Sequence, residues 1–282
     1  MKGGYFLRDG RFFKEDEPAF TWNEFRHAEE GFTESFRAEH NEVLFPESIA
    51  AHLVATASTI GIDLTGLIDP EGRILRKDVS RLLNKNKLYL AAGIEAQIYV
   101  SEDQTYLVLS ANEIERGYYP LKEPGLILSF YRDHLQEIPV SSAYSTMGKF
   151  VRQSARRMAD VLNQPNIIIL NSLGNCCESM DGSFAFFNKD LLTFPAAASG
   201  GYRCPILKEV AQSAKETGFQ VREQENIKPE ELLQAEELFL FDSCNGIQKV
   251  LGLDDRRYFS PKTKLIATRF SELAKKDREE KG

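Results

Sequence analysis

Cysteine is scarce in this chain. Its 282 residues carry four, at Cys176, Cys177, Cys204 and Cys244, and none stands in a CxxC pair. That excludes a small disulfide scaffold and the usual zinc-ligand spacing, so no metal is expected. Cys176 and Cys177 are adjacent; on a strand their side chains leave in opposite directions, which makes them awkward joint ligands. Histidine is as sparse: His27, His40, His52 and His134 are scattered and form no HExxH pair. The GxSxG, P-loop and GxGxxG signatures are all missing. No apolar run reaches the ~18–20 residues of a membrane span, so no membrane partner is expected. Basic residues do not predominate either: 35 Lys and Arg against 42 Asp and Glu give a net charge of −7. A nucleic-acid binder carries a basic face, so no nucleic-acid partner is expected. The start, MKGGYFLRDG, lacks the apolar core of a secretion signal, and a cytoplasmic chain with reduced thiols is expected.

What is present is ordinary for a globular protein: 42% hydrophobic and 27% charged residues. At about 100–200 residues per domain, the length suggests two domains or one large one. Asp9-Gly10 between Tyr5–Leu7 and Arg11–Phe13 reads as a hairpin turn. Gly31 to Arg37 reads as a short strand. Pro46 opens a helix that runs to Ile60, with Ile49, Leu53 and Ala57 at helical spacing. Lys77 to Leu83 reads as a second helix, and Ala96–Val100 and Thr105–Ser110 as strands. GYYPLKEPG, Gly117 to Gly125, holds two prolines and is the linker candidate. Domains are therefore expected at residues 1–116 and 126–282. In the second half, Val151, Ala155, Met158 and Leu162 make one stripe of an amphipathic helix. Asn166–Leu170 and Glu237–Phe241 read as buried strands, and Ser183–Phe187 with Leu191–Phe194 as a hairpin. Pro205 starts a helix that ends at Gly218, and Phe219 and Val221 begin a further strand. Strands and helices alternate without long gaps, so the fold class is α/β (α+β). No repeat and no low-complexity segment occurs.

Five stretches, in this order, carry a family likeness. EEGFTESFR is similar to a "G-D-G-V-F-E-T-I-R" stretch. NIIILNSLGN followed by CCES is similar to a strand, turn and "T-E-G" stretch. SFAFFNKDLLTFP resembles an "N-I-F" hairpin with an "L-x-T-P" strand. SGGYR before a helix resembles "G-I-T-R", and AEELFLFDSCNGIQKV resembles "A-D-E-V-F-L-T-N-S-x-x-G-I-x-P-V". Together they resemble the class IV aminotransferases, the fold-type IV pyridoxal-phosphate (PLP) enzymes that include branched-chain aminotransferase, D-amino-acid aminotransferase and aminodeoxychorismate lyase. The resemblance implies a two-domain, D-amino-acid aminotransferase-like architecture, PLP in a cleft, a homodimer, and an amino acid or keto acid substrate. It also implies a lysine that forms the Schiff base and moves the substrate proton. A glutamate would keep the pyridine nitrogen protonated, and amides at a helix start would hold the phosphate.

Carried onto this sequence, Glu178 matches the pyridine-facing glutamate. Gly201 and Tyr202 match the phosphate-holding pair, and Ser243 matches the second phosphate contact. The Schiff-base position falls at Ser145, or at Tyr144 in the other family spacing. The nearest lysine is Lys149, four residues late. The place of the phosphate-binding arginine falls near Glu47, and no Arg or Lys occurs from Ala38 to Gly72. A carboxylate there repels a phosphate dianion. The "N-I-F" asparagine is Ser183. Three functions follow: a PLP-dependent transaminase of branched-chain or related amino acids, a catalytically inactive relative that binds a phosphate-bearing small molecule, or a thiol site built on the four cysteines.

Overall fold

The computed structural model describes residues 4–18, 20–22, 24, 28–101, 104–136 and 149–281. The chain forms two compact units, Met1–Tyr118 with Ala274–Gly282, and Tyr119–Leu273.

The first unit is built on a six-stranded sheet. β1 (Tyr5–Arg8) and β2 (Arg11–Lys14) pair through the Asp9-Gly10 turn. Both turn residues have positive φ, 47° and 75°, the requirement of a two-residue hairpin turn that twists with its strands. β3 (Ala28–Glu39), β4 (Glu42–Val43), β5 (Ala91–Ser101) and β6 (Gln104–Glu113) complete the order β2-β1-β6-β5-β3-β4. β3 is longer than the expected Gly31–Arg37 strand, because its pairing with β5 runs from Ala28 to Glu39. Against the sheet lie α1 (Pro46–Thr59) and α2 (Arg73–Asn86). Ile49, Leu53 and Ala57 are buried, as their spacing requires. α2 starts four residues before the expected Lys77, because the Asp69 carboxylate accepts the Arg73 and Ile74 N–H groups. His52 on α1 meets Glu34 on β3 at 3.0 Å, both buried.

The second unit holds two sheets. β8 (Phe130–Gln136), β9 (Ile168–Asn171) and β10 (Cys176–Ser179) form one. The other has β11 (Ser183–Asn188), β12 (Leu191–Pro195), β13 (Gln220–Gln224), β14 (Glu237–Asp242), β15 (Gly246–Leu253) and β16 (Arg256–Arg257), ordered β13-β12-β11-β14-β15-β16, with β7 (Leu126–Leu128) on β15. The helices are α3 (Lys149–Val161), α4 (Leu207–Glu216), α5 (Pro229–Gln234) and α6 (Pro261–Lys281), the last belonging to this unit as far as Leu273. One core gathers Phe184, Phe186, Leu238, Leu240, Val250 and Ile168. A second seats Val151, Ala155 and Met158 of α3 on Ile167, Ile169 and Cys177. Leu162 leaves this stripe because the helix ends at Val161, and its side chain is exposed. Among the described residues no helix is long and apolar enough to cross a membrane.

Candidate functional site

The site residues sit on short connections that buried side chains hold in place. Asn171, at the end of β9, accepts the N–H groups of Leu173 and Asn175 on Oδ1. Its Nδ2 donates to the Ser199 carbonyl 2.9 Å away. One buried amide therefore closes the β9–β10 turn and ties it to the 3-10 turn Ala197–Ser199 that precedes Gly201. The two chain segments then touch backbone to backbone. A Cβ on Gly201 would lie 1.9 Å from the Cys177 carbonyl oxygen, so only glycine permits this approach.

That approach decides the partners of Glu178, a fully buried carboxylate on β10. The Tyr202 N–H donates to Glu178 Oε2 at 2.6 Å. Arg152, in the first turn of α3, donates Nε to Oε1 at 3.1 Å and a terminal nitrogen to Oε2 at 2.9 Å. The pair is bidentate, and the guanidinium also lies 5.2 Å from the centre of the Tyr202 ring. One helical turn later Arg156 pairs with Asp181, so α3 sets two cations on two carboxylates.

Ser243 follows β14 and is buried. Its carbonyl accepts the Tyr119 hydroxyl at 3.1 Å, and its hydroxyl faces Cys204 Sγ at 3.6 Å. Ser183 Oγ donates to the Tyr202 carbonyl and accepts the Cys204 N–H. Glu178, Gly201, Tyr202 and Ser243 thus meet in one network, joined by Ser183 and Cys204. Next to Ser243, Asp242 accepts the Cys244 and Asn245 N–H groups while burial pushes its carboxyl up. Lys149 is the first residue of α3. Ser145 and Tyr144 lie outside the described residues. Glu47 is exposed on α1.

Sequence reasoning missed Arg152. The available signal is its place three residues after Lys149 on an amphipathic helix, but hydrophobic period picks out only the apolar members of that helix. The thiol reading fares poorly at Cys176 and Cys177. Burial pushes both thiols up, away from the thiolate that a nucleophile needs. Among the described residues no group of three or more His, Cys, Asp and Glu side chains could hold a metal ion.

The geometry can be tested against PLP. By the resemblance, Glu178 takes the pyridine nitrogen and the Tyr202 amide takes the phosphate. Here that carboxylate and that amide bond to each other at 2.6 Å, so the N–H meant for the phosphate is spent on the carboxylate meant for the ring nitrogen. A fixed guanidinium already supplies the positive charge on Glu178. A pyridinium brought to the same carboxylate would face like charge. The residues present do not fit PLP.

The amino-transferase class IV family pattern matches residues 31–253. No curated protein sequence matches the chain. Among solved structures, the branched-chain aminotransferase of the thermophilic archaeon Thermoproteus uzoniensis with norvaline superposes with a TM-score of 0.82 at 20% identity, covering 99% of this chain and 97% of that one. The Escherichia coli branched-chain amino acid aminotransferase gives 0.79 at 19% identity, covering 96% and 94%. A fold IV transaminase from Curtobacterium pusillum gives 0.80 at 15%, covering 98% and 99%. At these identities the structures speak for the fold, fold-type IV, and the family pattern covers most of the sequence. The chain belongs to the class IV aminotransferase family.

Proposed function

We propose that this chain is a catalytically inactive member of the family, which keeps the fold and has lost PLP chemistry. One observation carries the reading: Glu178 is closed by Arg152 on one side and by the Tyr202 N–H on the other. The sequence supports it independently. By the family spacing the Schiff-base position falls at Ser145 or Tyr144, neither a lysine, and no Arg or Lys occurs from Ala38 to Gly72, where the phosphate arginine belongs. Two separate losses, one at the aldehyde and one at the phosphate of the same cofactor, agree with relaxed selection on its binding. The same closure bears on a phosphate-bearing ligand at Gly201, Tyr202 and Ser243, since one of its expected donors already serves Glu178.

The other reading is a PLP-dependent transaminase of branched-chain or related amino acids and their keto acids. The fold likeness to branched-chain aminotransferases favours it, and it needs Lys149 as the Schiff-base residue. Visible absorbance with stoichiometric PLP, before and after borohydride, separates the two. The expected result is the spectrum of free PLP and no reduced adduct mapped to Lys149. A band that borohydride fixes at Lys149 would overturn the inactive reading. Ser145→Lys alone is expected to leave the spectrum unchanged, because a new amine does not free Glu178. The family resemblance also points to a homodimer, and light scattering is expected to return twice the 31.9 kDa of one chain.

A further inference from the structure

β13 ends the seven-stranded sheet, so one of its edges is open among the described residues. Its backbone tells which groups face outward. The Gln220 N–H donates to Asp190, and Gln224 accepts the Ala196 N–H. Residues 220, 222 and 224 therefore turn their backbone groups to β12. Alternation then directs the N–H and C=O of Val221 and Glu223 to the open side.

Along that edge, between α4 and β13, lies a groove of about 490 Å³. Phe194, Leu207 and Val221 give it an apolar floor. Lys208 and Lys215 stand over it seven residues apart, hence on one face of α4 and about 10 Å apart along its axis. Arg222 borders it from the strand, but by alternation its side chain takes the opposite face from Val221, beside Thr193. Among the described residues none of the three has a carboxylate partner; Arg222 donates only to the neutral Thr193 and Gln224 side chains. Glu223 is already paired with Arg203 at 3.1 Å. Uncompensated positive charge at one edge stands out in a chain of net charge −7.

Charges on an edge strand often serve to block pairing. Blocking charges stand over open water, whereas the two lysines border an apolar groove beside unpaired backbone groups. We propose that this edge is a docking site for an extended acidic segment of a partner protein, which adds to β13 as a further strand. Its backbone would pair with Val221 and Glu223. Alternate carboxylates, about 7 Å apart on an extended chain, would meet Lys208 and Lys215 on the α4 face, and the side chains between them would take the opposite face, beside Arg222. This surface is independent of the cofactor question.

The test uses the full chain and a fluorescein-labelled six-residue peptide of alternating Glu and Val. Anisotropy is expected to show saturable binding that weakens as salt rises from about 50 to about 300 mM NaCl. The Lys208→Glu/Lys215→Glu variant is expected to bind at least about tenfold more weakly. Lys208→Gln/Lys215→Gln should lose affinity to a smaller extent, and both variants should keep the parent's circular dichroism, since these lysines are exposed. Hydrogen exchange is expected to slow at the Val221 and Glu223 amides when peptide is bound. No saturable binding up to millimolar peptide would overturn the proposal. So would binding that the double reversal leaves unchanged, equal binding of a Lys-Val peptide, or binding that leaves both amides unprotected.

Discussion

At the scale of single residues, the chain's chemistry turns on what each buried carboxylate faces. Glu178 is fully buried and paired with Arg152. Removing one partner of such a pair strands a charge, which costs about 3–5 kcal/mol, while removing both costs far less. Arg152→Met is therefore expected to lower urea-unfolding stability by roughly that amount, and Arg152→Met/Glu178→Gln to restore most of it. Gly201→Ala sets a Cβ against a carbonyl oxygen rather than a flexible side chain, so the two segments must separate. About 1–3 kcal/mol of stability should be lost, read from the same urea curves. Glu24 behaves differently, because it is itself only half-buried. The Arg8 side chain and the Thr21 N–H hold its carboxyl down at about 2, below its ordinary 4.5. A depressed carboxyl adds stability that is complete above the unfolded value and is lost as pH falls through the folded one. Between pH 4.5 and about 2, Glu24→Gln should flatten the acid limb of stability against pH.

At the scale of elements, periodicity predicts what local sequence controls. The stripe Val151, Ala155, Met158 faces the core of the second unit. The Asp9-Gly10 hairpin forms at the expected residues. Helix starts are harder to read, because their caps come from elsewhere in the chain. α6 begins where Glu237 of β14 accepts the Lys262 and Thr263 N–H groups and the Thr263 hydroxyl. A carboxylate that satisfies orphan amides from 25 residues away carries no local signal. Glu237→Ala should cost about 1–3 kcal/mol and speed amide exchange in the first turn of α6. Asn171 acts likewise on the β9–β10 turn, where the sequence shows it only as one letter of a motif.

At the scale of the whole molecule, the C-terminal residues Ala274–Gly282 belong with the first unit. The tail KKDREEK has the composition of a solvated charge run, and most of its charges are indeed exposed. Asp277 within it, however, accepts the Phe45 N–H at 2.9 Å. Phe45 has a φ of 53° and immediately precedes α1, so its amide lies outside the helical ladder. Deleting residues 274–282 removes this acceptor. The expected result is faster hydrogen exchange at Phe45 and in the first turn of α1, with β11 and β14 unaffected.

The sequence by itself determined the family, through the order of five degenerate stretches. It also raised the expectation of two losses, of the lysine at Ser145 or Tyr144 and of the phosphate arginine near Glu47, because an absence from a sequence needs no structure to be seen. Only the tertiary structure decided what Glu178 does. Its partners Arg152 and Tyr202 lie 26 and 24 residues away in the chain. Hydrophobic period reports which face of an element is buried. It does not report which distant polar atoms that burial brings within hydrogen-bond reach. That depends on the register of β10, the first turn of α3, and a backbone approach that Gly201 alone allows.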